Sequence, residues 1–332
     1  MSLLLEVLNL RKSFAASRTF LAPRRYVRAI DTVSLSVSRG EAVGLIGESG
    51  CGKSTVARCV MGLVRPDAGE ILLEGQSLAE ARRRRSARTH ERLQMVFQDP
   101  YSSLNPRMSI EAILMEPYRI QGKLSAREMK ERILRLLEEV SLPADSLSKY
   151  PQHFSGGQRQ RISIARALAL QPSLIVADEP LSALDVSVQA QIILLMKKLQ
   201  LTHDLGFLLI SHDLGVVRNF CTRVAVMYLG RIVEEGSARQ VLDEPRHPYT
   251  VALREASLPP DISARDRLNK IQGEIPSALE PPTGCHFHPR CPHAMARCKV
   301  EVPGWSVLTD GRRVACHLYP QDAAVAAKID QG

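Results

Sequence analysis

The densest chemistry in the chain lies in Gly47-Glu48-Ser49-Gly50-Cys51-Gly52-Lys53-Ser54-Thr55. The stretch fits the pattern Gly, four residues, Gly-Lys-Ser, and so reads as a P-loop. Its glycines let backbone N–H groups close around phosphate oxygens, and a following helix adds partial positive charge at its N-terminus. In such a loop Lys53 reaches the β- and γ-phosphates and the Ser54 hydroxyl binds Mg²⁺. The chemistry is triphosphate binding.

A second set of groups suits water activation. Asp178-Glu179 closes the apolar run Leu174–Ala177, and a carboxylate at such a strand end holds Mg²⁺ beside a P-loop. Glu179 is then placed as general base toward an attacking water. Without a P-loop the pair would read as two solvent-facing acids at a strand end. His212, in Ser211-His212-Asp213, follows another apolar run and is a candidate donor to a γ-phosphate. Phe154-Ser155-Gly156-Gly157-Gln158 opens a helical stretch and forms a second anion site from exposed N–H groups and the helix dipole. One chain thus carries two phosphate-binding surfaces.

The elements that position these groups are legible as patterns. Ala42–Ile46 before the P-loop, Leu174–Ala177 and Phe207–Ile210 are short apolar runs suited to buried parallel strands. Residues 3–10, 32–38, 70–73 and 93–97 read as further strands, and 13–28 as an irregular basic insertion containing Pro23. Helical spacing covers Thr55–Leu63, 109–118, 125–140, 157–170 and 186–203, with Ser125 and Glu128 forming a capping box. Strands alternating with helices around a P-loop predict a doubly wound parallel sheet, and residues 100–170 a helical insert. A proline-rich stretch from about residue 258 (Pro259-Pro260, Pro276, Pro281-Pro282) predicts a domain boundary, giving 1–258 and 259–332.

Composition narrows the classes. With 332 residues, 45% of them hydrophobic and 24% charged, the chain suits a two-domain globular protein. No apolar run approaches the length of a membrane helix, and the start lacks the pattern of a signal peptide, so a cytosolic chain is expected. The net charge of +9 raises nucleic acid as a partner. The main basic run, Arg82–Arg85 with Arg88, has no interleaved aromatics and reads as a solvated loop, so no nucleic-acid partner is expected. Cys51, Cys59 and Cys221 are scattered and read as free thiols. Cys285, Cys291, Cys298 and Cys316 cluster late in the chain, with His286, His288, His293 and His317 nearby. Four thiolates can hold zinc or an iron–sulfur cluster, and spacing alone does not choose.

The ordered set of motifs resembles the nucleotide-binding subunits of ATP-binding cassette (ABC) transporters. Ser155–Gln158 matches their signature, with Phe154 where leucine is commoner. Gln98 matches the glutamine that meets Mg²⁺ and the membrane subunits, Ser182-Ala183-Leu184-Asp185 the loop across the dimer interface, and His212 the switch histidine. The resemblance implies an α/β P-loop NTPase (RecA-like) core with an antiparallel β subdomain, an inserted helical subdomain and a small C-terminal cysteine-containing extension. It implies head-to-tail pairing, with ATP between one protomer's P-loop and its partner's signature, and Mg²⁺ on Ser54, Gln98 and Asp178. Glu179, His212 and Gln98 are then the catalytic set, and Ser182 and Asp185 lie at the dimer interface. Phe14, before the insertion, is the candidate to stack on adenine, and Tyr26, after it, is the rival.

Asp99–Arg107, Pro245–Thr250 and Gly273–Ser277 narrow the resemblance to ATPase subunits of bacterial dipeptide and oligopeptide importers, in particular the dipeptide-permease F-type subunit. That implies a paralogous ATPase as heterodimer partner, two transmembrane permease subunits, and a periplasmic or lipid-anchored binding protein. It places the chain peripherally on the cytoplasmic face of the inner membrane. It also implies a [4Fe-4S] cluster on Cys285, Cys291, Cys298 and Cys316, with zinc as the alternative. Dipeptides, longer peptides, glutathione and nickel chelates stay open as cargo, because binding protein and channel choose it.

Overall fold

The computed structural model describes residues 2–16, 25–84, 87–99, 103–257 and 274–320. Pro23, Arg85, Pro100 to Ser102, Pro259-Pro260 and Gly273, and the side chain of Arg88, lie outside the described residues. In chain order the strands are β1 (Leu3–Ala15), β2 (Tyr26–Ser38), β3 (Ala42–Ile46), β4 (Ala68–Leu73), β5 (Gln76–Ser77), β6 (Leu93–Val96), β7 (Leu174–Asp178), β8 (Gly206–Ile210), β9 (Arg223–Tyr228), β10 (Arg231–Ser237), β11 (Ser306–Val307) and β12 (Arg313–Val314). The helices are α1 (Lys53–Met61), α2 (Leu78–Arg83), α3 (Ala87–Arg92), α4 (Ile110–Gln121), α5 (Ala126–Glu139), α6 (Gly156–Leu168), α7 (Val186–His203), α8 (Leu214–Phe220), α9 (Ala238–Asp243) and α10 (Pro248–Ser257). No helix among the described residues is long and apolar enough to cross a membrane.

The chain divides into two compact units, Met1–Leu5 with Ser36–Ala42 and Leu72–Ser211, and Glu6–Leu35 with Val43–Ile71 and His212–Gly332. In the first unit β6, β7 and β8 run parallel, with Leu93 opposite Leu174 and Leu174 opposite Gly206. Every residue of β7 and β8 is buried, which is why both read as apolar runs, broken in β7 only by Asp178 at its end. The expected helical insert is present as α4, α5 and α6. Ser125 and Glu128 form both halves of the capping box at α5, and α7 spans 186–203 as its periodicity predicts. Helix α5 buries Ile133, Leu136 and Leu137, the 3–4 spacing of one helix face.

In the second unit β3 runs parallel to β9, β9 turns back on β10, and β10 pairs antiparallel with β12, which pairs with β11. The strands of the late cysteine region thus extend a sheet: Glu234 lies opposite Val314 and Glu235 opposite Arg313. The irregular insertion expected over 13–28 is corrected at its two ends, and its middle, residues 17–24, lies outside the described residues. Strand β1 continues to Ala15 and β2 begins at Tyr26, adjacent in one sheet, and the Ala16 N–H donates to Arg25 O at 2.8 Å. Neighbouring strands supply hydrogen bonds that the mixed polar sequence there does not announce.

Candidate functional site

In the second unit the P-loop connects the buried strand β3 to α1. Glycine is obligatory at two points. Gly47 has φ +150° and an added Cβ would stand 2.1 Å from Met227 O; Gly52, the N-cap of α1, has φ +110° and a Cβ there would stand 2.1 Å from Ala29 O. No acidic residue lies in the first turn of α1, so its positive end faces no competing side-chain charge of its own. The Lys53 side chain is buried and donates to Gly47 O at 2.8 Å and Glu48 O at 2.9 Å. The ammonium is thus folded onto the loop's own carbonyls, and a phosphate oxygen would replace them as its partner. Cys51 is buried beside it, with Sγ 3.7 Å from Nζ, and burial pushes the thiol pKa up despite the neighbouring charge.

Two residues hold this loop to which the sequence assigned no role. The Tyr249 hydroxyl accepts from the Glu48 N–H at 2.7 Å, and Arg290 donates to both carboxylate oxygens of Glu48 at 2.8 and 3.0 Å. Tyr249 belongs to the Pro-Arg-His-Pro-Tyr stretch. His247 is fully buried, accepts from the Tyr249 N–H at Nδ1, and has its pKa pushed down to about 3 by burial, so it is neutral at pH 7. His212 is exposed at the start of this unit's later part, just before Asp213 caps α8. Phe14 and Tyr26 are both exposed on β1 and β2, and the Lys12 ammonium lies 5.4 Å from the centre of the Phe14 ring.

The first unit carries the acidic and signature groups. Asp178 ends β7 and is buried. Glu179 follows with φ +47°, a left-handed conformation that a non-glycine residue adopts at a cost of about 1–3 kcal/mol. Its N–H donates to Ile210 O at 2.9 Å, and Gln98 Nε2 donates to its carboxylate at 2.9 Å. The expected base and the expected Mg²⁺ glutamine are therefore hydrogen-bonded to each other. Ser182 Oγ donates to Glu179 O at 3.1 Å, tying the expected interface loop to the same turn. Asp185 caps α7, accepting from Val188 N–H at 2.9 Å; its bond from the Ser187 hydroxyl is the main cause holding its carboxyl below the usual range.

Ser155 caps α6. Its Oγ accepts from Gln158 N–H at 3.3 Å, and Gln158 Oε1 accepts from Ser155 N–H at 3.0 Å. Ser155 and Gln158 are exposed, whereas Phe154 is a buried plug, which explains why an aromatic is accommodated there. A Cβ at Gly157 would approach Val188 Cγ1 to 2.5 Å, and one at Gly156 would approach Leu184 Cδ2 to 3.1 Å. Both glycines thus let α6 begin against the segment Leu184–Val188.

The late cysteines lie in the second unit as free thiols, Cys298 and Cys316 buried, Cys285 and Cys291 half-buried. They feel one another electrostatically, and burial raises Cys285, Cys291 and Cys316, the last to about 11. Met295 N–H donates to Cys298 Sγ at 3.5 Å, and backbone N–H groups of Phe287, His293 and Leu318 point to the sulfurs of Cys285, Cys291 and Cys316. Among the described residues no group of three or more His, Cys, Asp or Glu side chains stands at metal-holding spacing. The geometry therefore gives no closed ligand set for the expected [4Fe-4S] cluster or for zinc.

Residues 30–182 match the ABC transporter family, and residues 233–298 match the oligopeptide/dipeptide transporter C-terminal region. The probable peptide ABC transporter ATP-binding protein y4tS of Sinorhizobium fredii is 51% identical, covering 90% of this chain and 84% of its own. The chain belongs to the ABC transporter ATP-binding proteins. The dipeptide transport ATP-binding protein DppF of Haemophilus influenzae is 45% identical, over 94% of this chain and 96% of its own. An ATP-binding cassette dimer solved in a post-hydrolysis state with ADP and Pi is similar with a TM-score of 0.60 at 29% identity, covering 71% of this chain and 99% of that one. The α/β P-loop NTPase fold read from the motifs is thus the fold of this ABC ATPase.

Proposed function

We propose that the chain is the ATP-hydrolysing subunit of a bacterial importer for dipeptides or oligopeptides. The observation that carries this reading is the pair of anion-receiving helix N-termini, the P-loop with α1 in one unit and Ser155 with α6 in the other, in a chain whose later part matches the peptide-transporter C-terminal region. ATP held by Gly47–Thr55 of one protomer and by Ser155–Gln158 of its partner ties two subunits head to tail. Closure is then a ligand-driven population shift that lasts while the γ-phosphate bridges both surfaces.

Within that reading Lys53 exchanges its carbonyl partners for β- and γ-phosphate oxygens. Glu179 takes a proton from the attacking water, and His212 donates to the γ-phosphate. The hydroxyl of Ser54, the amide oxygen of Gln98 and the carboxylate of Asp178 are hard oxygen donors suited to Mg²⁺, which neutralises phosphate charge when bound. Gln98 must release Glu179 or turn its oxygen outward to take that part. Ser182 and Asp185 face the partner, and Phe14 stacks on adenine. The nucleotide-binding domain is assigned to residues 1–258 and the extension to 259–332. The partners are a paralogous ATPase, two permease subunits and a substrate-binding protein, with the chain peripheral on the cytoplasmic face of the inner membrane.

The test is uptake of a labelled dipeptide and tripeptide by cells lacking and then re-expressing the chain with its neighbours. Restored, ATP-dependent peptide uptake is expected. Restored uptake of a nickel chelate or glutathione alone would move the cargo and keep the ATPase.

For the extension, Cys285, Cys291, Cys298 and Cys316 would hold a [4Fe-4S] cluster in a structural or regulatory role. What supports the reading is that the four thiols feel one another electrostatically and each has a backbone N–H donor nearby. Anaerobically purified protein is expected to contain about four iron and four acid-labile sulfide per chain. One zinc, or four titratable thiols without metal, would remove the cluster.

A further inference from the structure

The described residues of the second unit contain an ion pair that joins the P-loop to the cysteine-bearing extension across 242 positions of sequence. Arg290 lies between Cys285 and Cys291. Its guanidinium grips both oxygens of Glu48, the second residue of the P-loop, and its side chain is only 5% exposed. Nη1 also donates to the Tyr228 hydroxyl at 3.3 Å, and the guanidinium carbon lies 5.8 and 5.9 Å from the ring centres of Tyr228 and Phe287. The planar fork is therefore fixed by the protein's own groups. Glu48 is held at three further points: its N–H by Tyr249, its carbonyl by Lys53, and its place after Gly47, which is locked against Met227 O.

A carboxylate in a loop that receives a triphosphate is a liability, because like charges in a partly desolvated site repel. The bidentate pair removes that charge from the loop's balance and pins the backbone whose N–H groups receive phosphate. Resting on the ATPase reading above, we infer that Arg290 is a positioning residue for nucleotide binding: through Glu48 it neutralises and orients the P-loop, so that ATP affinity is set by the extension. Arg290 touches neither phosphate nor water in this role. By linkage, whatever displaces the 285–298 segment lowers ATP affinity, and bound nucleotide favours the seated segment by the same factor.

The inference separates from a merely structural role through charge. Arg290→Ala leaves an unpaired carboxylate in the loop, whereas adding Glu48→Gln removes that carboxylate again. On the full-length chain, with ATP turnover and fluorescent ATP-analogue binding measured together, R290A is expected to raise KM and Kd about tenfold with kcat within about twofold. R290K recovers part of the loss. The double variant R290A/E48Q recovers to within about threefold of the parent, although it carries one more substitution. A well-folded R290A with parental KM and Kd overturns the inference, as does a double variant no better than R290A. If R290A does not fold, R290K against R290K/E48Q decides by the same comparison. A parent that neither binds the analogue nor turns over ATP sinks the ATPase reading itself; a parent that does both, with insensitive variants, sinks only the clamp.

Discussion

Glu179→Gln abolishes ATP turnover while leaving ATP bound, with kcat falling about 10²- to 10⁴-fold, the range for losing a general base. The geometry makes the substitution clean. Glu179 accepts from Gln98 Nε2 at one carboxylate oxygen, and a glutamine oxygen at the same place accepts the same bond. Its backbone is fixed independently, by the bond from its N–H to Ile210 O and by Ser182 Oγ on its carbonyl. The left-handed backbone at this position is equally open to glutamine. The substitution keeps the shape and removes the negative charge and with it the basicity. Peptide uptake stops with hydrolysis, and the ATP-bound dimer accumulates, read as retained labelled ATP after gel filtration. Undiminished phosphate release by the variant would remove Glu179 from the base role and leave Gln98 and His212 as the groups to examine.

The second large effect is on stability. Arg312→Ala is expected to destabilise the protein by about 3–5 kcal/mol, the cost of stranding one member of a buried ion pair. Glu234 is wholly buried, Arg312 is 2% exposed, and Nη1 lies 3.7 Å from Glu234 Oε1. Burial already raises the Glu234 pKa, so its carboxylate depends on what surrounds it: Arg246 N–H, His247 N–H and the guanidinium. Arg312 also donates to the carbonyls of Gln240 and Glu244 and to Asp310 Oδ2, so truncation orphans backbone acceptors as well. Urea unfolding followed by circular dichroism measures the loss. R312M/E234Q, which removes both charges and keeps volume, is expected to recover much of it. A midpoint unchanged in Arg312→Ala would show that the pair adds nothing to stability.

Where local chemistry decides local structure, the chain was readable without coordinates. Ala42–Ile46, Leu174–Ala177 and Phe207–Ile210 are apolar because both faces of a parallel sheet are covered, and that burial is visible as composition. Ser125 and Glu128, three residues apart, fold onto each other within one helical turn. The P-loop and the Ser155 helix start are read the same way, since glycines, lysine and capping serine act within a few residues of themselves.

Pairing at long range was not readable. Arg11–Ala15 and Tyr26–Asp31 become strand because each has a neighbour, not because either is apolar. Glu179 takes positive φ because its N–H is claimed by Ile210 on the neighbouring strand's end, which no local pattern encodes. The four cysteines announce a ligand set by type, but the spacing of their sulfurs belongs to the folded extension.

The sequence by itself determined the nucleotide chemistry and the fold class, because both rest on contiguous motifs with short-range geometry. Only the tertiary structure decided that Gln98 meets Glu179 and that Arg290 and Tyr249 hold the P-loop. Charge pairs and hydrogen bonds between residues 81 to 242 positions apart exist only once chain folding brings their ends together.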